Sequence, residues 1–439
     1  MQWKNNPHRL PLLLRGARSV GKTFAIRELG KQFENIIEVN FESDPGLAMS
    51  LFQQNLDPHR IVRNLMASFQ QKIIPGKTLI FFDEIQRAPL AITALRYFYE
   101  KMPDQHIVAA GSLLDFAIEQ VGIPVGRVEF LHLYPLSFLE FLVAAGNQFA
   151  VTELLTHDPK TSIDLTLHNL LLTKLSEYLA IGGMPKVVDF WLQKNADQCR
   201  KIQATITQTY QQDFGEYAKR HQVKYLQELF NKIPLQLGNK FKFSKVGEHR
   251  KRELEPCLNL LEMARVISKV SHSAAQGVPL GAQTDINDFK VIFLDVGLAQ
   301  TILGFDLSSW LASSHDTFVN QGALVEAFVG QEMLAYADPS LRGQLYYWHR
   351  EVRNSEAEID YVVQLGRDIV PIEVKSGSGR TLKSLNLFLE SHVQSRYGIK
   401  FSAANFSVFE KVNNYPLYAI IKPFTMTPIL REAVNYLIS

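Results

Sequence analysis

The stretch LLLRGARSVGKTFAIREL, residues 12–29, decides how the chain is read. Leu12, Leu13 and Leu14 form a continuous apolar run of the kind that marks a strand buried on both faces. Gly16 and Gly21-Lys22-Thr23 then complete the pattern G-x-x-x-x-G-K-[ST], and the residues from Phe24 to Leu29 suit a helix. Strand, glycine-containing loop and helix in that order predict a phosphate cradle, because loop N–H groups and the helix N-terminus then face an anion together. Gly16, Ala17, Arg18, Ser19, Val20, Gly21, Lys22, Thr23 and Phe24 are accordingly expected to line a bound nucleotide. Lys22 would reach the β- and γ-phosphate oxygens and the Thr23 hydroxyl would serve Mg²⁺.

Three further apolar runs surround this motif: NIIEVNFE (35–42), TLIFFDEIQ (78–86) and HIVAAGSLL (106–114). Amphipathic stretches such as DPHRIVRNLMASFQQKI and LAITALRYFYEKM lie between them, which predicts a doubly wound α/β domain with a parallel sheet over residues 1–147. In such a sheet the carboxyl ends of the strands border the ligand crevice. Asp83 is therefore expected to hold Mg²⁺ through water, and Glu84 to polarise the water that attacks the γ-phosphate. Ser112, just past its strand, is placed to hydrogen-bond that phosphate or water. Arg127 in PVGRVEF is a candidate transition-state cation, acting in its own subunit or on a neighbour in a homo-oligomer.

Composition sets the class of molecule. With 439 residues, 46% of them hydrophobic and 21% charged, the chain should fold into several domains rather than remain disordered. Cys199 and Cys257 form no C-x-x-C pair, which speaks against a zinc finger or a disulfide framework and for a reducing, cytoplasmic setting. No apolar run approaches the roughly 20 residues that span a bilayer, so no membrane is expected as a partner. Forty-six Lys plus Arg against 44 Asp plus Glu leave the whole chain near neutrality. Locally, Lys219–Glu255 holds far more Lys and Arg than acids, a patch suited to DNA.

The remaining segments read as a helical lid over 164–203, broken at GGMP, and a winged-helix-like domain over 204–305. There RELEPCLNLLEMARVISKV would run from helix into strand, and DFKVIFLDVGLA would return as the second strand of a wing. A last α/β domain is expected over 316–439. In it Asp360 and Glu373-Val374-Lys375 fall on successive strands, with Glu326 on the preceding helix. Two carboxylates for a metal, and a lysine on the same strand face as Glu373, are what a metal-dependent phosphodiesterase needs. Asp360, Glu373 and Lys375 are thus candidate catalytic residues, and Glu326, Asp360 and Glu373 candidate metal ligands. The same letters also fit solvated charges on a hairpin.

LLLRGARSVGKT, LIFFDEIQRAP, LRYFYE, AAGSLL, PVGRVEFLHLYPLSFLEFL and YLAIGGMPKVV together resemble the AAA-family ATP-binding proteins of bacteria and archaea that carry a C-terminal domain of unknown function. The resemblance runs over essentially the whole chain. It implies a P-loop ATPase core using ATP and Mg²⁺, and it places a restriction-endonuclease-like fold, with its D…(D/E)-x-K layout, where Asp360, Glu373 and Lys375 lie. Only about ten residues precede the cradle strand, fewer than is usual in the family, which implies fewer adenine contacts. Two functions follow: an ATPase whose nucleotide state controls a nuclease acting on DNA, or a nucleotide-dependent protein-binding switch with an inert C-terminal domain.

Overall fold

The computed structural model describes residues 2–122, 124–307, 321–352, 355–376 and 382–425. The expected boundary at 316 and the last 14 residues of the C-terminal domain lie outside them. Two compact units are present: Met1–Tyr134 with the short pieces Met263–Arg265 and Pro339–Arg342, and Pro135–Glu262 with Val266–Asp338 and Gly343–Ser439.

The first unit is built on a five-stranded sheet of β1 (Leu12–Arg15), β2 (Asn35–Asn40), β3 (Thr78–Asp83), β4 (His106–Gly111) and β5 (Glu129–His132) in the order β2-β3-β4-β1-β5. Every neighbouring pair is parallel. Strand alternation sorts the side chains between two cores. Leu13, Ile80, Phe82, Ile107 and Ala109 pack with residues of the helices Pro45–Phe52, Pro58–Phe69 and Pro89–Lys101. Leu12, Leu14, Leu79, Phe81, Val108 and Ala110 turn to the other face with Ile26, from the helix Lys22–Gly30. Both faces are thus covered, which is why these strands read as unbroken apolar runs. The α/β class and the parallel sheet are as the sequence predicts.

The second unit begins with helices, among them Phe138–Ala144, Leu165–Ile181, Pro185–Leu192, Ala196–Tyr217 and Val223–Lys232. It continues into an eight-stranded sheet ordered β12-β13-β11-β10-β9-β8-β6-β7. Its strands are β6 (Ile267–Ser273), β7 (Thr284–Phe293), β8 (Leu345–Val352), β9 (Ser355–Leu365), β10 (Asp368–Val374), β11 (Gly398–Ser402), β12 (Ser407–Phe409) and β13 (Val412–Pro416). The helix Gly322–Ala335 precedes three antiparallel strands, β8 to β10. The helix Lys383–Ser391 then supplies the crossover that the parallel β10–β11 pair requires.

The middle segment departs from expectation. The helix Lys251–Met263 does run into β6, and β6 pairs antiparallel with β7. This hairpin is not a free wing, however, because the other edge of β6 pairs in parallel with β8 at Val270↔Leu345, Ser271↔Tyr346 and His272↔Tyr347. A strand with an apolar repeat and an open edge is satisfied by joining a sheet, and here that sheet belongs to the C-terminal strands.

The break at GGMP is held by one side chain. Asp295, fully buried, accepts hydrogen bonds from the backbone N–H of Gly183 at 2.7 Å and of Leu298 at 2.9 Å, capping the helix Val296–Ile302. Asp295→Ala should strip both N–H groups of their acceptor and cost about 2–4 kcal/mol of stability. Urea melts that show a loss below half a kilocalorie would refute this.

Candidate functional site

The parallel pairing of the first unit delivers all its strand ends to one edge. Arg15 pairs with Gly111 and Asn40 with Asp83, so the loop after β1, the acids after β3 and Ser112 after β4 share a crevice. Steric demands explain the glycines of the loop. A Cβ on Gly16 would lie 2.4 Å from the Leu133 carbonyl oxygen, and Gly21 has φ 99°, a conformation that costs other residues free energy. Ala17, Arg18, Ser19 and Val20 form the turn between them. Arg18 makes an ion pair with Glu42 at 3.7 Å.

Lys22 opens the helix and is buried, 6% exposed, with its ammonium donating to the carbonyls of Gly16 at 2.9 Å and Ala17 at 2.7 Å. Burial lowers its pKa to about 8, against the pull of Glu84 and Asp83. The Thr23 hydroxyl donates to Asp83 Oδ2 at 3.1 Å, and the Asn40 amide donates to the same oxygen at 3.3 Å. Burial, reinforced by the Glu84 charge, raises the pKa of Asp83. Glu84 has φ 50° and ψ 45°, a left-handed conformation unusual for a glutamate and of the strained kind found at functional sites. Its Oε2 accepts from the Gln86 amide at 2.5 Å. Phe24, 69% exposed, lies in the first turn after the loop.

Sequence reasoning missed Asn40 and Gln86. Asn40 ends a strand next to Asp83, and Gln86 sits two residues past Glu84. A polar residue at a strand end on the crevice edge was the available signal.

Arg127 needs correction. It precedes β5, whose first residue Glu129 pairs with Leu12, the first of β1, so Arg127 lies at the amino edge of the sheet. The cradle begins after the last residue of β1, a strand length of roughly 13 Å away. There Arg127 pairs with Glu100 at 2.6 Å. It does not reach the phosphate loop of its own chain.

In the second unit the four C-terminal residues do converge. The Asp360 carboxylate accepts from the Val374 N–H at 2.7 Å, between Glu373 and Lys375, and Lys375 pairs with Glu373. A register shift between Tyr346 and Trp348, opposite Val362 and Ile359, leaves an extra residue on β9 that re-aims Asp360. Glu326, from the helix Gly322–Ala335, joins the group.

The sequence reading did not include Lys290, on β7. Its side chain is only 2% exposed, and its ammonium pairs with Glu326 at 2.8 Å, with Glu358, and with Asp360 at 3.9 Å. Burial opposes its charge, but these three carboxylates outweigh burial and raise its pKa. Burial, then repulsion from Asp360, raises the pKa of Glu326 to about 8 and of Glu373 to about 7, and burial raises that of Asp360. A hard divalent ion needs several ionised oxygens turned on one point. Here the Lys290 ammonium occupies Glu326 and lies 3.9 Å from Asp360, and Lys375 holds Glu373 through Oε1, whereas Glu373 Oε2 is buried with no hydrogen-bond partner.

The basic segment is in part spent internally. Lys240 pairs with Asp288 at 2.6 Å and Lys251 with Glu255 at 3.4 Å, whereas Lys242, Lys245, Arg250 and Arg252 are exposed. Among the described residues no helix is long and apolar enough to cross a membrane.

Residues 8–142 match a family described as "AAA domain". Residues 172–309 and 321–420 each match a domain of unknown function. No curated protein matches the chain. Among solved structures the chain is similar to a Walker-type ATPase of Pyrococcus abyssi, with a TM-score of 0.42 and 14% identity, over 68% of this chain and 92% of that one. It is also similar to the Orc1 protein of Aeropyrum pernix in complex with DNA, with a TM-score of 0.27 and 12% identity, over 69% and 88% of the two chains. These are distant likenesses. The match over residues 8–142 coincides with the parallel sheet and the glycine loop after β1, so this part of the chain is an AAA domain.

Proposed function

We propose that the chain is a cytoplasmic, Mg²⁺-dependent ATPase whose second unit is a DNA-binding module without nuclease activity. The observation that carries the ATPase reading is the meeting of Thr23 and Asp83 at 3.1 Å, next in sequence to the buried Lys22 and to Glu84. A hydroxyl and a carboxylate are hard oxygen donors, and Thr23 and Asp83 would hold the cation, which when bound neutralises charge on the phosphate oxygens. Lys22 exchanges the carbonyls of Gly16 and Ala17 for phosphate oxygens. Glu84 accepts the proton of the attacking water, and Gln86 holds its carboxylate in the orientation seen. Ser112 donates to the γ-phosphate or to the water. Since Arg127 cannot serve its own loop, its assignment is to a neighbouring copy in a homo-oligomer.

For the second unit, Asp360, Glu373 and Lys375 behind the helix of Glu326 support a restriction-endonuclease-like layout. Lys290 favours the inert form of it, because it supplies the positive charge that a cation would otherwise bring. The exposed Lys242, Lys245 and Arg252 support a polyanionic partner, and DNA is the reading adopted.

Lys22→Ala should abolish ATP binding, whereas Glu84→Gln should bind ATP and lose turnover by about 10²–10⁴-fold. ATP affinity of the native chain should fall as pH rises through about 8, where Lys22 loses its proton, with proton uptake on binding above that pH. Calorimetry in buffers of different ionisation enthalpy checks both; a flat profile from pH 7 to 9 would show that Lys22 keeps its proton across that range.

Reversal of Lys242, Lys245 and Arg252 to Glu should weaken duplex binding for all sequences alike and flatten the slope of log affinity against log salt by about 2–3. Unchanged affinity would place the partner surface elsewhere.

Lys290→Met should destabilise the second unit by about 3–5 kcal/mol near neutral pH, because it leaves buried carboxylates without a counter-charge. The loss should shrink at pH 5, below the raised pKa values of about 8 for Glu326 and about 7 for Glu373. The native chain should leave linear and supercoiled DNA uncut with Mg²⁺ or Mn²⁺; cleavage would reinstate the nuclease reading.

A further inference from the structure

Three polar side chains from the adjacent strands β7, β6 and β8 meet beside the Lys290 cluster, whose ammonium lies 5.2 Å from the Tyr347 ring. They are Asp288 on β7, His272 on the central strand β6 and His349 on β8, and one ligand atom from each lies within 4.8 Å of the others. The register explains the meeting. Ser271 pairs with Phe289 but His272 with Asp285, so residues 286–288 bulge out of the β6–β7 ladder and Asp288 is turned inward, 8% exposed. On the other edge Tyr347 lies opposite His272, and His349 follows two residues later on the same face.

The donors are prepared as ligands. Asp288 is ionised: burial opposes this, but hydrogen bonds from Lys240, Tyr347 and His349 outweigh it and hold the pKa at about 2. The Tyr347 hydroxyl is bonded to Oδ1, and Oδ2 accepts from His349 Nε2 at 2.8 Å. The rings of His272 and His349 lie 4.5 Å apart between centroids. His272 Nε2 is buried with no hydrogen-bond partner, while a hydrogen bond to the His349 backbone engages the ring. Burial, and then the neighbouring His349, lower the pKa of His272 and keep it neutral. A neutral imidazole whose Nδ1 is bound to a carbonyl presents Nε2 as a lone pair, which is the arrangement a metal-binding histidine adopts.

We propose that His272, Asp288 and His349 form a site for a divalent transition ion of the Zn²⁺ class. Two imidazole nitrogens and one carboxylate oxygen suit a borderline-soft ion and not Mg²⁺. Tetrahedral binding at about 2.0–2.1 Å sets ligand atoms about 3.3 Å apart, so the His349–Asp288 contact must open slightly, His349 must release its Nε2 proton to solvent or carry it on Nδ1, and His272 must move inward. Lys240 is the competing cation, 2.6 Å from Asp288 Oδ2. Lys290 has its side chain 2% exposed, whereas that of Lys240 is 41% exposed. Three protein ligands leave a fourth position for water or a ligand atom.

The test is titration of chelator-treated full-length protein with Co²⁺, read by ligand-field absorption, and with Zn²⁺ against a chromophoric chelator. One ion per chain with a tetrahedral Co²⁺ spectrum is expected, and Mg²⁺ should not compete. His272→Gln should weaken binding at least about 10–100-fold, and this variant keeps every hydrogen bond of Asp288, so it should fold. Lys240→Ala should tighten binding by removing the rival charge. No spectral change in the native protein, or native affinity kept by both His272→Gln and a His272→Gln/His349→Gln double variant, would overturn the site.

Discussion

Parallel strand pairing is the constraint on which the first unit depends. Residues distant in sequence become neighbours only because every strand of the β2-β3-β4-β1-β5 sheet leaves its carboxyl end on the same edge. The pairing Asn40↔Asp83 and Arg15↔Gly111 then brings an amide, an acid, the glycine loop and Ser112 to one crevice. The same constraint removes Arg127, since a residue before a parallel strand must lie at the opposite edge. Burial does the rest. It presses Lys22 against the loop carbonyls and lowers its proton affinity, so that the loop holds a cation prepared to accept phosphate.

The second unit has the reverse problem, too much negative charge in a dry place. Glu326, Asp360 and Glu373 crowd their carboxyl groups together away from water, and burial raises the pKa of each. Lys290 and Lys375 answer this from within the chain by pairing with Glu326 and Glu373. A carboxylate cluster is therefore not by itself a metal centre. What distinguishes the two is the cation already present and whether it can leave.

The motifs legible in the sequence are those whose meaning is local. The loop from Gly16 to Thr23 carries its strand and helix with it, and Asp83-Glu84 ends an apolar run whose burial follows from composition. Even Asp360 and Glu373-x-Lys375 were legible, because one hairpin brings them together. Lys290 was not, although KVIF in DFKVIFLDVG offers the signal used for Glu373, a charge in a core-type strand. Its partners Glu326, Glu358 and Asp360 lie on other elements, and no local pattern joins them. The same holds for His272, Asp288 and His349, which meet only because β6 pairs in parallel with β8 and β7 bulges. The wing was misread for that reason too: a hairpin is local, but the strand beside it is not.

The position of β6 and β7 bears on how such a chain can be inherited. Two separate domains of unknown function cover residues 172–309 and 321–420, as if they could be shuffled independently. Yet the sheet crosses that division between β6 and β8, and the ion pairs of Lys290 cross it as well. Exchanging one segment without the other would bare a strand edge and strand a buried charge at once. The middle and C-terminal segments thus depend on each other physically, since removing Lys290 from one takes the counter-charge from Glu326 and Asp360 of the other.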